Sequence, residues 1–390
     1  MEEKIEKKIV IATHYWADYG PGQALREYLL ARNVRTLLWI QHPLMYSKRL
    51  SGSGYEVYKN GKKVKGYEKK IRKYPPAISY IKDFFLTIWF TLITKEKFDC
   101  FIGINNLNAF AGLFLKKVGV VKKSIYYVID YTPKRFENKW LNWIYHKIES
   151  ICALKCDEVW NLSPKMIEAR EKFKGIKANR KHKIVPMGIW FDRIKRIEFE
   201  YINKHQLVFM GHIIKKQGVQ FVIYAIPEIV KHIPDLKFLV IGEGEFLNEL
   251  KKLVKDLKVD KFVEFTGYIK DHTEVEKLIA KSALAVALYE KGDLERNFTY
   301  YSDPGKIKVY LGAGVPVLLT DVPYNAKEIE KEKCGKIVEL EPKSIARAVV
   351  ELMKNEDVLK KYRKNAIEYA KRFDWNLIFG RIFSESISYI

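Results

Sequence analysis

The sequence predicts an α/β protein made of two doubly wound parallel-sheet domains, and three observations predict it. At 390 residues the chain is longer than one hydrophobic core readily organises. Apolar runs of strand length alternate with amphipathic helical stretches, the pattern of parallel strands joined by crossover helices. The pattern also restarts midway, at "HQLVFMGH", after a charged and aromatic stretch from Gly188 to His205 with no clean period.

The first domain, residues 1–198, opens with the strand "KIVIATH", the glycine-bearing turn "THYWADYGPGQAL" (Thr13 to Leu25) and the helix "GQALREYLLARN". Further strands are expected at "RTLLWIQ", "FDCFIGIN", "SIYYVID", "EVWNLS" and "KIVPMG", with "NWIYHKIESICALKC" as a connecting helix. A lysine-dense segment, "YKNGKKVKGYEKKIRKYPP", runs from Tyr58 to Pro76. The apolar run "FFLTIWFTLIT" (Phe84 to Thr94) follows and is too short to cross a bilayer as a helix. The second domain, residues 199–372, repeats the alternation with strands at "HQLVFMGH", "LKFLVIGEG", "KFVEFTGYI", "ALAVALYE", "GVPVLLTD" and "GKIVEL". The amphipathic tail, residues 373–390, is expected to pack back on the first domain.

Seventy Lys and Arg against 47 Asp and Glu leave a net charge of +23, which favours an anionic partner: phosphate, a nucleic acid or an acidic membrane surface. "MEEKIEKKIVIATHYWA" lacks the apolar core and cleavage site of a signal peptide, and a cytoplasmic location is expected. Four scattered cysteines, of which only Cys152 and Cys156 are close, read as buried thiols rather than a zinc site, and no metal is expected.

Ligands of such sheets bind beyond the carboxyl ends of the strands. In the first domain those ends supply His14, Gly20, Gly22, Asn105 and Asn106. A nicotinamide or flavin enzyme would want G-x-G-x-x-G and an acid ending the second strand; here that strand ends at Gln41 and His42. In the second domain the ends supply Gly211, His212, Lys215 and Lys216 in "FMGHIIKKQGV", Gly242, Glu243 and Gly244 in "VIGEGEF", and Gly267 and Tyr268 in "EFTGYI". No P-loop is present. In "SDPGKIKVYLGAGVPVL", Pro304 suits the first turn of a helix, so Lys306 belongs where backbone N–H groups point outward and attract anions. With His212, Lys215 and Lys216 it would form a positive ring fit for a diphosphate. Each lysine taken alone reads as solvated rather than functional; their shared position at strand-to-helix turns is what favours the ring.

The order of "PMGIWFD", "VFMGHIIKKQGV", "LVIGEGEFLNELKKL", "VEFTGYIKDHTEVEKLIAKSALAVAL" and "DPGKIKVYLGAGVPVLLTD" resembles the donor domain of GT-B glycosyltransferases of the family 4 (group 1) kind. The resemblance implies two Rossmann-like domains facing across a cleft. It further implies a nucleotide-diphosphate sugar held by the second domain and an acceptor held by the first, at His14, Gly20, Gly22, Asn105 and Asn106. Transfer of the hexosyl type would proceed without an essential metal or cofactor. The chain departs from the family pattern at four positions: His212 and Gln217 replace the usual Arg and Lys of the donor loop, and Tyr301 and Val309 replace the paired glutamates. Ser302, Asp303, Pro304 and Gly305 are then the nearest candidates for ribose contact. "SIYYVIDYTPKRF" is similar to an acidic strand end in membrane-associated GT-B enzymes that extend polysaccharides on lipid carriers, and supplies Asp130.

These readings assign Asp130 as general base for an acceptor hydroxyl of a glycan or a lipid-linked acceptor. Lys306, Lys216 and helix N-termini stabilise the departing diphosphate. The basic tract Lys59 to Lys73 with Tyr74, Tyr80, Phe84, Phe85, Trp89 and Phe90 reads as a surface for an anionic membrane, or as a helix packed on the sheet with its lysines in solvent. Two other classes are carried: a catalytically inactive glycosyltransferase-like binding protein, invited by the absent glutamates, and a nucleic-acid-binding protein, for which no motif is found.

Overall fold

The computed structural model describes residues 4–15, 19–43, 52–70 and 75–387. The chain divides into two units, Met1–Pro186 with Trp375–Ile390, and Met187–Asp374. The first unit contains strands β1 (Lys8–Tyr15), β2 (Thr36–Pro43), β3 (Gly52–Lys59), β4 (Lys62–Lys70), β5 (Phe98–Ile104), β6 (Val121–Val128), β7 (Glu158–Asn161) and β8 (His182–Ile184). They form an eight-stranded sheet in the order β4-β3-β2-β1-β5-β6-β7-β8. Helices α1 (Pro21–Ala31), α2 (Pro76–Leu92), α3 (Asn106–Lys117), α4 (Lys139–Lys155) and α5 (Pro164–Lys174) belong to it. The second unit has a six-stranded parallel sheet in the order β11-β10-β9-β12-β13-β14. Its strands are β9 (Asn203–Met210), β10 (Lys237–Ile241), β11 (Val263–Gly267), β12 (Ser282–Ala287), β13 (Val317–Leu319) and β14 (Gly335–Ile337). Its helices are α6 (Val219–Ile229), α7 (Leu247–Asp256), α8 (His272–Ala280), α9 (Phe298–Tyr301), α10 (Gly305–Gly312), α11 (Ala326–Lys331), α12 (Pro342–Met353) and α13 (Glu356–Lys371). The last helix, α14 (Trp375–Ser386), returns to the first unit.

The central strands read as unbroken apolar runs because helices cover both faces of the sheet. Ile9, Val10, Ile11 and Ala12 of β1 are all fully buried, as are Leu207, Val208 and Phe209 of β9. Cys100, Cys152, Cys156 and Cys334 are free, buried thiols. The residues from 187 to 198, grouped with the first domain in the sequence reading, pack in the second unit. Ile189 donates to the Phe373 carbonyl at 2.8 Å, and Ile189 and Ile194 stand where a side chain on Gly312 would be. In the tail, Tyr28 of α1 packs on Phe379 and Phe383 of α14.

The lysine-dense segment corrects the sequence reading. Residues 52–70 form an antiparallel hairpin that extends the sheet beyond β2, closed by Asn60 and Gly61, both with positive φ (46° and 74°). Asn-Gly is the preferred pair for such a tight turn, so the signal was present in "YKNGKK". Among the aromatic residues that follow, Phe85 and Trp89 are exposed, but Phe90 is 1% exposed and packs on Tyr55 and His42 in the core. Lys73 and Tyr74 lie outside the described residues, as do Trp16 to Asp18 of the first turn.

Candidate functional site

In the second unit the strand order reverses between β9 and β12, which opens a crevice at their carboxyl ends. Gly211 ends β9 at φ 143° and Gly242 ends β10 at φ 134°, backbone shapes that favour glycine. A Cβ on Gly242 would lie 2.0 Å from the Gly211 carbonyl oxygen, and one on Gly244 would lie 2.1 Å from that of Ile213. The two loops therefore meet backbone to backbone, with no room for side chains.

Helix α10 points its first turn into this region. Pro304 caps it, Gly305 opens it, and Lys306 is its second residue. The Lys306 ammonium sits 4.3 Å from the centre of the Phe209 ring and 5.1 Å from that of Tyr289. It donates to Oε1 of Gln217 at 2.5 Å. Among the described residues no carboxylate pairs with it, and burial pushes its pKa down to about 7. The Tyr289 hydroxyl beside it is buried without a hydrogen-bond partner. A cation stripped of water, an unused hydroxyl and the N-terminus of a helix form a receptor for an anion.

Asp303 is engaged elsewhere. Its carboxylate forms a fully buried ion pair with Lys308 and accepts the Met187 backbone N–H at 2.9 Å. Burial raises its pKa, with Lys308 opposing. Its role is to tie α10 to the start of the unit, and it has no free oxygen directed to a ribose in this geometry. Ser302 bonds within its own turn, Tyr301 is buried, and Val309 supplies only an isopropyl group.

The first unit holds a cavity of about 340 Å³ at the carboxyl ends of its own strands. The strand ends contribute His14, Asn105, Asn106 and Asp130; helices α2, α3 and α4 contribute a chiefly apolar wall including Ile81, Phe84, Phe85, Phe110, Leu141, Ile144 and Ile148. Asp130 is paired with Arg135. His14 Nδ1 lies 3.2 Å from the Asn108 amide nitrogen; Nε2 faces Oδ2 of Asp83 at 3.4 Å and, among the described residues, makes no hydrogen bond. Because the amide donates, Nδ1 accepts, which leaves Nε2 as the nitrogen that faces Asp83.

Behind it lies a buried polar chain. Asp83 accepts from Ser53, and His42 bonds Ser53 and Thr87. Burial drives the His42 pKa down to about 3, so that ring is neutral. Burial alone would raise the Asp83 carboxyl, but His14 against it and the nearby positive charge outweigh that and leave the group below the usual range. Asn105 takes a left-handed φ of 64° at the start of α3, and its Oδ1 is buried with no partner among the described residues.

The structure thus gathers His14, Asn105, Asn106 and Asp130 in one unit, and Gly211, Gly242, Gly244, Gly305 and Lys306 in the other. It does not close the expected ring of cations: Gln217 meets Lys306, while His212, Lys215, Lys216 and Glu243 are exposed without a contact to it. Tyr268 is 45% exposed. Gly22 is not at the ligand side; a Cβ there would strike Ile104 at 2.5 Å, so it serves the packing of α1. Gly20 caps that helix in an extended conformation. Sequence reasoning missed Asp83, Asn108, Arg135 and the aromatic pair Phe209 and Tyr289; it marks Gln217 only as a departure from the donor-loop pattern. For Arg135, the signal was its spacing of five residues from Asp130; the others come from distant segments.

Residues 204–355 match the family model "Glycosyl transferases group 1". A relative, the uncharacterized glycosyltransferase MJ1069 of Methanocaldococcus jannaschii, is 26% identical over 345 residues, spanning 82% of this chain and 83% of its own. The fold is similar to that of sucrose-phosphate synthase from Thermosynechococcus elongatus, with a TM-score of 0.73 at 13% identity over 99% of this chain and 100% of the other. It is equally similar to that of HepE from Anabaena, solved in complex with UDP, with a TM-score of 0.73 at 13% identity over 98% and 100%. Residues 204–355 are thus a group 1 glycosyltransferase domain, in a chain whose two α/β units have the GT-B fold.

Proposed function

We propose that the chain transfers a sugar from a nucleotide-diphosphate sugar to a hydroxyl of a glycan or lipid-linked acceptor, in the synthesis of a surface polysaccharide or glycolipid. The observation that carries the reading is Lys306, an enclosed ammonium with no carboxylate partner among the described residues, at the crevice of the second sheet. A nucleoside diphosphate supplies the missing charge. As the bond from the anomeric carbon to the phosphate oxygen breaks, Lys306 and the α10 amides stabilise the leaving charge. Asp130 is the base that accepts the acceptor's hydroxyl proton, with Arg135 holding its carboxylate in place; His14, whose Nδ1 is taken by Asn108, keeps an orienting role. The chemistry uses no metal or cofactor in this reading. It places the enzyme in the cytoplasm, on the inner face of a membrane, with no nucleic acid as partner.

Among the described residues no helix is long and apolar enough to cross a membrane, so contact with one would be peripheral. The test is a thermal-shift screen of the whole chain against UDP, GDP and dTDP and their sugars. One nucleotide is expected to raise Tm, and Lys306→Ala is expected to abolish that rise while leaving the ligand-free Tm within a few degrees. Stabilisation by none of them, or by one that Lys306→Ala binds as well, would refute the donor site.

A further inference from the structure

Helix α2 carries a line of apolar side chains that face solvent. Ile78, Ile81, Phe85, Trp89 and Leu92 follow one another at three- and four-residue steps, and each is between 45% and 63% exposed. Such a stripe on a helix ordinarily faces a core. Helix α4 adds Trp140, Trp143 and Ile144, all exposed. Ile81, Phe85 and Ile144 belong both to this surface and to the wall of the first unit's cavity. The cavity therefore opens onto the apolar surface.

The charges are equally one-sided. On α2 and α4 the only carboxylates are Asp83, buried beside His14, His42 and Lys82, and Glu149, buried against Arg170. Exposed Lys139 and Lys147 remain beside the tryptophans of α4, and Lys147 continues the Trp140, Trp143, Ile144 line. Tryptophan and lysine beside an exposed apolar stripe suit the boundary between anionic headgroups and acyl chains. A protein partner would cover the apolar surface, but it would not account for a cavity with polar strand ends and an apolar helical wall. An amphiphile does, with its polar end at Asn105, Asn106 and Asp130 and its chain along Phe84, Phe110 and Ile148.

We infer that α2 and α4 rest on an anionic bilayer and that the cavity receives, from that bilayer, the apolar chain of a lipid-borne acceptor. This deepens the glycosyl-transfer reading by naming the acceptor as lipid-borne, and rests on it only for the word acceptor.

The experiment uses the full chain, phosphatidylcholine vesicles with and without phosphatidylglycerol, and two soluble probes, decyl phosphate below its micelle concentration and inorganic phosphate. The wild type is expected to sediment with the anionic vesicles, and the double variant Trp89→Glu with Trp143→Glu, both outside the cavity, is expected to bind them about tenfold less. By calorimetry decyl phosphate is expected to bind about tenfold or more tightly than inorganic phosphate, and Ile144→Glu, at the exposed mouth, is expected to remove that preference. Vesicle binding that survives the double variant, or equal affinity for the two phosphates, overturns the proposal. So does a chain that self-associates through this surface and ignores vesicles. UDP binding measured on the same preparations reports on the second unit alone; its absence would refute the donor reading and leave the lipid result standing.

Discussion

Lys306 should titrate well below the ordinary lysine range. Its pKa of about 7 follows from enclosure by Phe209 and Tyr289, and the unfolded chain would hold the same group near the ordinary lysine value of about 10.4. Between these values the unfolded chain binds more protons, so this group's contribution to stability improves as pH rises from about 7 toward 10. Binding of a diphosphate has the opposite sense, because only the protonated amine attracts it. Above pH 7, UDP affinity is expected to fall as pH rises, and the complex is expected to take up a proton. Calorimetry in buffers of different ionisation heat reads that uptake directly; Lys306→Met should show none, and equal values for both proteins would sink the assignment.

Asp130→Asn is expected to lower turnover about a hundredfold or more while leaving UDP binding intact. Near-normal turnover would remove Asp130 from the chemistry. Much of this was legible in sequence, because a lysine after Pro-Gly and an acid at a strand end are local patterns. Asp83 was not, since it meets His14 from 69 residues away. Nor was Asp303's engagement, which depends on a backbone N–H 116 residues distant.

At the scale of elements, the loops at strand ends are shaped by close backbone approach. Gly218 precedes α6 at φ 73°, and a Cβ there would lie 1.9 Å from the Leu288 carbonyl oxygen at the end of β12. Gly119 has nearly the same φ, 75°, but no atom within 4 Å of its Cβ position. Gly119→Ala is therefore expected to cost about 1 kcal/mol for the backbone alone, and Gly218→Ala clearly more, since backbone must move. Urea denaturation midpoints would compare them, and equal losses would show that the strand ends are looser than the structure holds.

The parallel strands were readable because burial on both faces writes them as continuous apolar runs. The β3–β4 hairpin was not read, because lysines dominate the exposed edge and obscure the alternation of Tyr55 and Val57 beneath it. Charged edges are also what keeps an open sheet from pairing with another.

At the scale of the molecule, the tail is structural for the first unit. Ile378, Phe379, Ile382 and Phe383 of α14 are all nearly fully buried, at about 1.5–3 kcal/mol for each side chain removed from water, and Trp160 packs on Phe383. That sum is comparable to the whole stability of a domain. A chain ended after Asp374 is expected to lose the first unit's cooperative thermal transition and to keep UDP binding in the second; an intact first transition in calorimetry would contradict this. The +23 net charge adds a collective effect, a long-range attraction for anionic surfaces that weakens with salt.

The second unit begins at Met187 and ends at Asp374, and the chain segments entering and leaving it touch, paired as neighbours at Ile189 and Asp374. In engineering terms it is a cassette whose two ends arrive at the same place. A gene fragment encoding only this stretch would have termini already side by side. The same adjacency allows one such unit to be exchanged for another within a host whose own sheet stays uninterrupted.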